Sequence, residues 1–485
     1  MKRSGSRAAF TALVAASLAA CAVGPNYRAP EVPPAELINA QGAAFSASDP
    51  EAAWWQEFAD PELNRLVTRA LGANLDLQVA VTRVKAARAL FTQAQYDFAP
   101  HLPLTAGYSK GKAQEPGFGT ARIPVESDTL GFDAQWELDL FGHVRRSVQA
   151  ARADLGEQQA DLRGAEVSVA AEVARNYFEL RGAQTRLDVA RRNLVSQAQT
   201  ESLTRVRYTG GRANELDVER AWARLKATEA TVPPLEALEQ QSMYRLAVLL
   251  GERPGSLDAE LAPVEIQPYA RALPIGDTAA LLRRRPDVQA AERRLAAASA
   301  RVGVATADLF PRVSVSGFVG FLSGDVGQLF STSGGNDARA WSVTPTVTWA
   351  AFDMGSVRAR LRVRQAELDG ASAAYTQTVL LALEETENSF TGYAKEQTAL
   401  KSLSEQARAS AHAAELADLQ YRAGVADFLT LLDAQRTQLE AEDEMVQAQT
   451  AVNLRVVAIY KALGGVGQPQ TGGGWSRTAT TTAPP

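Results

Sequence analysis

The chain has 485 residues, of which 46% are hydrophobic and 22% are charged, and its formal net charge is -5. This length allows two or three domains, and the composition excludes a fully disordered chain. The negative balance argues against nucleic acid as a partner, because binding to phosphates needs a surplus of lysine and arginine. A single cysteine provides neither a disulfide framework nor a metal cage.

The amino terminus has the pattern of a secretory signal. Basic residues precede an apolar run over residues 8–20, which is too short to cross a membrane. The run ends in LAAC, where Cys21 closes a pattern that resembles the bacterial lipobox. We therefore expect a signal peptide over residues 1–20 and a covalent lipid on Cys21 as membrane anchor. Ala22 at the following position favours the outer membrane.

The remaining sequence repeats itself. NLDL at residues 74–77 corresponds to RPDV at residues 285–288, and YTGG at residues 208–211 corresponds to YRAG at residues 421–424. The offsets, 211 and 213, are nearly constant and indicate duplication of one structural unit. The expected segments after the signal are an extended amino-terminal segment (21–53), repeat 1 (54–262), repeat 2 (263–464) and a disordered tail (465–485).

Each repeat is predicted to contain a helix, two strands, a very long helix and a return helix. The strands are expected at about 101–110 and 129–141 in repeat 1 and at about 312–322 and 340–352 in repeat 2. In the second strand, apolar residues alternate with Asp133, Glu137 and Asp139, which predicts one apolar face and one acidic face. Pro345 in the fourth strand indicates an edge or a bulge.

Hydrophobic residues recur every seven positions along two segments without proline, which predicts helices with coiled-coil packing. The expected long helices span 143–208 and 356–422, and the return helices span 213–250 and 426–463. Each long helix is about 100 Å in length at ~1.5 Å per residue. Gly211 and Gly424 end the two long helices, and Pro233-Pro234 should kink or split the first return helix.

Strands of about ten residues can cross a bilayer at a tilt, but four strands cannot close into a barrel. Two copies would give a barrel filled by side chains, whereas three copies would give twelve strands around an aqueous lumen. The acidic strand face favours the wet lumen. The expected fold is therefore a mixed α and β membrane protein, a homotrimer that shares a 12-stranded outer-membrane β-barrel continued by a long α-helical coiled-coil barrel. Asp133, Glu137 and Asp139 are predicted to face the lumen.

Several motifs in this order carry a family resemblance. They are CAVGPNY from Cys21, the pair Trp54-Trp55, the double repeat, and YRAG followed by LLDAQ at 431–435. Together they resemble the outer-membrane factors of tripartite efflux systems, the TolC-like family, and especially its lipoprotein branch. The resemblance implies a passive exit channel for small toxic compounds, in the outer membrane and extending into the periplasm. It also implies a periplasmic adaptor (membrane fusion protein) and an inner-membrane resistance-nodulation-division pump as partners, with no catalytic residues.

The resemblance further implies a periplasmic gate. In related channels the second return helix carries a leucine and an aspartate one turn apart, which correspond to Leu429 and Asp433. This spacing puts both on one helix face, so threefold symmetry would form one apolar ring and one carboxylate ring. A second aspartate ring of some relatives corresponds to Thr430 and is absent.

The helix-turn tips are the implied contact with the adaptor. Gly211 and Gly424 mark these turns. Positions that latch neighbouring helices in relatives correspond to Tyr421 and Arg422, with Tyr208 at the matching place in repeat 1, whereas a basic latch residue is replaced by Ala426.

Other functions fit the sequence less well. His101, His143 and His412 have no metal-ligand spacing, and no phosphate-binding loop or nucleophile motif occurs, so an enzyme with a metal or other cofactor is not indicated. Two alternatives share much of the architecture, namely the outer-membrane duct of a type I protein secretion system and a lipid-anchored trimeric structural stalk. Return helices argue against the stalk, because a fibre has no need to fold back.

Overall fold

The computed structural model describes residues 22–31, 37–40, 44–46, 48, 53–114, 122–276, 281–332 and 337–465. These residues divide into two compact units. The sheet unit holds the described residues among 1–31, 82–160 and 289–377, and the helical unit holds those among 32–81, 161–288 and 378–485. The expected signal peptide, Cys21 and the tail after Gly465 lie outside the described residues.

Among the described residues, two α-helices precede the strands of the main sheet. Helix α1 (Pro61–Ala73) begins at Asp60, whose side chain accepts hydrogen bonds from backbone N–H groups of the first turn. Helix α2 (Leu75–Tyr96) follows after one extended residue, Asn74. The Asn74 side chain donates a hydrogen bond to the carbonyl of Leu249 at 2.9 Å. This residue therefore separates the two helices and ties their junction to a later segment.

Four strands form one antiparallel sheet in the order β1-β2-β3-β4. They are β1 (Leu104–Ala113), β2 (Ile123–Leu138), β3 (Arg312–Ser323) and β4 (Arg339–Thr348). Among the described residues, no helix is both long enough and apolar enough to cross a bilayer.

Strand β2 differs from its predicted range at both ends. It begins at Ile123 and not near residue 129, because residues expected in a loop pair with β1 as far as Ala113. An ion pair of 2.8 Å between Lys110 and Glu126 lies across this added ladder. The strand ends at Leu138 and not at residue 141, because the next residues form the turn into a helix. Strand β4 likewise ends at Thr348 and not at residue 352.

Repeat 1 continues with one very long helix and two shorter ones. Helix α3 (His143–Thr209) has 67 residues, and helices α4 (Glu215–Glu229) and α5 (Val232–Leu249) follow. The return helix expected over 213–250 is therefore split in two at Pro233-Pro234, one of the two outcomes that the prolines predicted. The prolines occupy the first positions of α5, where the missing N–H group leaves no bond unmade.

Repeat 2 has the same order with one unbroken return helix. Helix α6 (Pro286–Ala307) precedes β3, helix α7 (Met354–Arg422) has 69 residues, and helix α8 (Phe428–Ala462) has 35 residues. Proline is absent from α8, so its backbone hydrogen bonds continue through the whole return segment.

Several of the largest side chains in the helical unit's core are aromatic. Trp54 is 1% exposed and stacks on Tyr460 with ring centroids 5.3 Å apart. Phe58 packs against Phe178 with centroids 4.6 Å apart. The Trp54-Trp55 motif is thus part of the core on one side, and burial of such large rings stabilises the unit by about 1.5–3 kcal/mol for each side chain.

Candidate channel wall and helix-turn tips

One face of the sheet is apolar and exposed. The strand register puts Leu104, Phe132, Val319 and Trp341 in one row across all four strands. Their exposed fractions are 63%, 51%, 60% and 78%. An apolar patch that crosses a whole sheet marks an interaction surface, because water is a poor solvent for it. This face is suited to contact with hydrocarbon.

The opposite face is polar. Its rows combine acids, amides and hydroxyls, namely Asp133 with Ser342, Gln135 with Ser316 and Thr344, and Glu137 with Ser314 and Thr346. Phe318 is the exception, and its ring lies where a side chain at Gly131 would otherwise stand. A sheet with one apolar and one hydroxyl-rich face is suited to separate lipid from water.

The three acids predicted to face the lumen have different surroundings. Asp133 lies on the polar face and accepts a hydrogen bond from the Thr105 hydroxyl. Glu137 also lies on that face, with one carboxylate oxygen 3.2 Å from Nδ1 of His143. Lumen exposure of these two stays a prediction.

Asp139 requires a correction, because it lies beyond the end of β2 and caps helix α3. Its carboxylate accepts hydrogen bonds of 3.0 Å from the backbone N–H groups of Val144 and Arg145. It also pairs with the Arg145 guanidinium at 2.9 Å, and its side chain is only 11% exposed. The alternating pattern of the sequence continued past the strand end, so spacing alone did not distinguish a helix cap from a strand acid.

Two tryptophans anchor the strand ends in the same way in both repeats. Trp136 donates a ring N–H hydrogen bond of 3.0 Å to the carbonyl of Phe98. Trp349 donates the matching bond of 3.1 Å to the carbonyl of Leu309. Tryptophan with an apolar body and one satisfied polar group is typical of the boundary between a membrane and water.

The outer edges of the sheet have no partner strand among the described residues, since β1 and β4 each pair on one side only. The backbone N–H of Leu322 bonds to the carbonyl of Ala338 at 2.7 Å, which fixes the parity of the β3–β4 ladder. Pro345 is opposite Val315, which has the other parity, so these two residues do not bond to each other through their backbones. The nitrogen of Pro345 therefore points to the free edge, where no bond within the chain is lost. The chain therefore contains an open sheet.

Each long helix ends in the same backbone motif. Gly211 has a φ of 71° and Gly424 has a φ of 78°, a conformation that favours glycine. Arg212 N–H bonds to the carbonyl of Arg207 at 2.8 Å, and Val425 N–H bonds to the carbonyl of Gln420 at 2.9 Å. These are the six-to-one hydrogen bonds of a Schellman ending.

The helices that follow the turns are capped in the same way in both repeats. The Asn214 side chain accepts a hydrogen bond of 2.8 Å from the N–H of Asp217. The Asp427 side chain accepts bonds of 2.8 and 2.7 Å from the N–H and hydroxyl of Thr430. These bonds from Thr430 lower the pKa of Asp427. Both tips are thus short, defined turns between two capped helices.

Tyr421, a predicted latch residue, is 3% exposed and lies in the core of the tip. The Arg207 guanidinium lies over its ring at 4.2 Å and donates a 2.7 Å hydrogen bond to its carbonyl. Of the other two predicted latch residues, Arg422 pairs through its side chain with Asp418 on its own helix, and Tyr208 is 43% exposed. Tyr421 thus contacts α3 through Arg207 and through its hydroxyl, which is 3.3 Å from that of Thr204. A latch role for the three residues stays a prediction.

The two predicted gate residues are exposed on α8. Leu429 is 55% exposed, and the Asp433 side chain is 66% exposed and 3.1 Å from the Arg436 guanidinium. At the matching positions 213 residues earlier, α4 carries Leu216, also 55% exposed, and Arg220 in place of the aspartate. The tips therefore share the leucine but differ in charge. A gating role for these residues stays a prediction.

The sequence reasoning missed Arg146, which holds the amino-terminal segment. Arg146 is 3% exposed. It donates hydrogen bonds to the carbonyls of Val23 and Gly24 at 3.1 and 3.2 Å and to the Asn26 side chain at 2.9 Å. Burial, with the nearby charge of Arg145, lowers the pKa of Arg146. The VGPNY motif at residues 23–27 gave no sign of its partner, because an arginine on a long helix usually faces solvent.

Within the described ranges, no group of three or more histidines, cysteines or carboxylates is arranged to hold a metal ion. A family model described as "Outer membrane efflux protein" matches residues 66–252 and 279–465. The chain belongs to this family. The second matched stretch begins and ends 213 residues after the first, the same offset that the tips show. The protein is therefore an efflux protein of the outer membrane, as the sequence motifs indicated.

Relatives and solved structures agree with this membership. Outer membrane protein OprJ of Pseudomonas aeruginosa is 32% identical over 464 residues, which cover 93% of this chain and 94% of that protein. Antibiotic efflux pump outer membrane protein ArpC of Pseudomonas putida is 32% identical over 473 residues, which cover 95% and 96%. The structure of the outer-membrane channel OprN has a TM-score of 0.88 and 48% identity, and covers 92% of this chain and 99% of that one.

Proposed function

We propose that three copies of this chain form a passive exit channel of a tripartite efflux pump, which carries small toxic compounds from the periplasm to the exterior. The observation that carries the proposal is the open four-stranded sheet with one apolar and one polar face. Unpaired backbone groups at two edges are costly in hydrocarbon, so the sheet needs further copies to close. Twelve strands leave room for an aqueous lumen.

The polar face supports the assignment of a lumen. Asp133 and Glu137 would line it together with the hydroxyls of β3 and β4. Solutes would then pass along side chains that exchange hydrogen bonds with water, and the channel would need no chemistry of its own. An acidic wall favours cations over anions by direct attraction.

The helix-turn tips are the proposed site of contact with a periplasmic adaptor, which would itself bind an inner-membrane resistance-nodulation-division pump. Both turns, at Gly211 and Gly424, are short and capped on each side, so they present a defined shape to a partner. The adaptor can open the channel only if it binds the open state more tightly than the closed one.

Leu429 and Asp433 are the proposed gate. Both are exposed in the single chain and lie one turn apart on α8. In a trimer, each position would occur three times around the axis and form a narrow ring. The leucine ring would exclude hydrated solutes, and the carboxylate ring would repel anions.

Cys21 is proposed to carry the lipid that anchors each chain. Support comes from its immediate successors, because Arg146 fixes residues 23–26 against the sheet unit. The N–H of Val23 also bonds to the carbonyl of Phe141 at 3.1 Å, close to the end of β2. An acyl chain attached just before this segment would therefore enter the membrane beside the strand ends.

Planar-bilayer conductance tests the gate. The protein with Leu429→Ala and Asp433→Ala should conduct more than the parent, because the rings become wider and lose their charge. A matched control is Leu216→Ala with Arg220→Ala, the corresponding pair in repeat 1. An equal increase in the control, or no increase in the test variant, contradicts the gate. Absence of any pore in the parent contradicts the channel itself.

A further inference from the structure

Helix α7 begins with an unusual run of positive charge. Arg358, Arg360, Arg362 and Arg364 are all exposed, and no acid occurs between Met354 and Ala366. The whole chain is negative, with a formal net charge of -5. Positive charges this close repel one another, so they must be either hydrated by water or neutralised by an anionic partner.

This run lies directly below the strand ends. Trp349 follows the last residue of β4, and Phe352 is fully exposed three residues later. Arg358 and Arg362 lie roughly 6 and 12 Å along the axis of α7 from its first residue, Met354, at ~1.5 Å per residue. Arginine side chains extend far enough to reach phosphates near an interface marked by tryptophan.

The four arginines fall into two pairs on opposite sides of the helix, since residues four apart share a face. Arg360 donates to the Ser356 hydroxyl at 2.8 Å, and Arg364 pairs with Glu367 at 2.7 Å. For the other pair, Arg358 and Arg362, the described part of the chain supplies no hydrogen bond or ion pair.

The packed side of α7 defines the direction of each pair. Val357 is 1% exposed and Tyr375 is 7% exposed, and both lie on one stripe five turns apart. Burial, followed by the Glu292 carboxylate, raises the pKa of Tyr375, so this stripe faces α6. The stripe on the far side carries Ala359 and Gly370, small residues that suit close approach of a second copy. Arg358 and Arg362 therefore point either to the lumen or to the exterior.

Chirality decides between these directions. Consider the sheet held so that β3 runs upward, away from α6. In an upward strand of L-residues, each residue whose side chain faces the viewer directs its own N–H and C=O groups to the right. Leu322 has the same parity as the polar-face residues of β3, and its N–H bonds to Ala338. The polar-face residues of β3 therefore form their backbone hydrogen bonds with β4, and its apolar-face residues form theirs with β2. Seen from the apolar side, β4 is thus to the left of β3. Helix α6 leads into β3 and helix α7 follows β4, so we infer that α7 is to the left of α6. Helix α7 descends with its packed side, marked by Val357, on the right. In a right-handed helix each residue is rotated by about 100° from the one before, which turns Arg358 and Arg362 toward the viewer and so toward the same side as the apolar face of the sheet.

We propose that Arg358 and Arg362 bind the phosphate groups of anionic phospholipids in the periplasmic leaflet of the outer membrane. Guanidinium groups match phosphate oxygens in charge and in their paired geometry, and basic residues next to a membrane attract anionic lipid. The proposal rests on the membrane position of the sheet in the proposed trimer. It adds a second contact with lipid, of different chemistry from the acyl anchor.

Native mass spectrometry of the full chain in detergent, titrated with phosphatidylglycerol or phosphatidylcholine, tests the proposal. The parent should prefer the anionic lipid, and Arg358→Gln with Arg362→Gln should weaken its binding roughly 25-fold, at about fivefold for each arginine. Arg358→Lys with Arg362→Lys should keep the part of the preference that comes from charge and lose the part that comes from paired hydrogen bonds. Two charge-matched controls are Arg360→Gln with Arg364→Gln on the opposite face, and Lys401→Gln with Arg408→Gln further along α7.

Loss of the preference only in the first variant supports the site. An unchanged preference in that variant, or an equal loss in either control pair, overturns it. Conductance of the same preparations separates this question from the proposed function, because the arginine variants should still form pores. Pores without selective lipid binding overturn the lipid site alone, whereas lack of pores in the parent overturns the channel.

Discussion

Replacement of Arg207 by alanine should loosen the end of the second long helix. Arg207 lies on α3, and its guanidinium donates hydrogen bonds of 2.7 and 3.2 Å to the carbonyls of Tyr421 and Arg422. These carbonyls belong to the last turn of α7, where backbone partners are scarce. The carbonyl of Tyr421 also accepts a hydrogen bond of 3.0 Å from the N–H of Gly424, beyond the end of the helix. The same guanidinium lies over the Tyr421 ring at 4.2 Å. One side chain thus fastens α7 to α3 by two kinds of contact.

The magnitude follows from these contacts. A hydrogen bond from a charged donor contributes about 1.5–3 kcal/mol, and a partly exposed cation–π contact contributes about 0.5–1 kcal/mol. Arg207 is half-buried, so we expect the variant to lose about 2–3 kcal/mol of local stability. At about 1.4 kcal/mol per factor of ten, local opening then becomes roughly 30- to 150-fold more frequent.

Hydrogen exchange followed by mass spectrometry measures this opening. Peptides that cover residues 419–428 should exchange faster in Arg207→Ala by that factor, while peptides from the sheet should not change. Arg205→Ala is the matched control, because Arg205 pairs with Glu201 on its own helix. Unchanged exchange in Arg207→Ala, or equal acceleration in the control, would refute the reasoning.

Three further predictions concern the sheet, a helix start and the second tip. Gly320→Ala should prevent formation of a stable assembly, as measured by gel filtration, because the added methyl group would collide with backbone atoms of β2. The control Gly107→Ala should assemble normally, because its methyl group would enter open space. Asp139→Ala should lower the free energy of unfolding by about 1–2 kcal/mol in urea titrations, since α3 loses its cap, and an unchanged value would show that the cap is dispensable. Asp427 has a lowered pKa, so its contribution to the start of α8 should be complete above the usual pKa of a carboxyl group and should be lost as pH falls through the lowered value. Hydrogen exchange at the Thr430 amide should show this acid-dependent loss in the parent but not in Asp427→Asn, and identical profiles would contradict it.

Periodicity in the sequence located most elements because few alternatives fit it. Seven-residue spacing over segments of more than sixty residues has one reading, a long packed helix, and the structure has helices of 67 and 69 residues there. Alternation does not locate the strand ends. The early start of β2 at Ile123 depends on pairing with β1, and its end depends on the turn that begins at Asp139, neither of which strand alternation records.

The tip contacts were harder to predict for a different reason. Glycine spacing located both turns, since few residues other than glycine adopt a positive φ. The partner of Tyr421, however, lies 214 positions away in sequence, at Arg207. The same holds for Arg146 and the segment after Cys21, which are joined by the fold alone. Side-chain pairs of this kind leave no periodic signal.

The central claim is that one chain has too few strands to close its sheet, so that three chains build one pore. Native mass spectrometry of the purified protein in mild detergent, combined with conductance of the same preparation, tests this most directly. The account predicts an assembly with three times the mass of the mature chain, and pores only from that species. A monomer that conducts, or an assembly of another size with full activity, would contradict it.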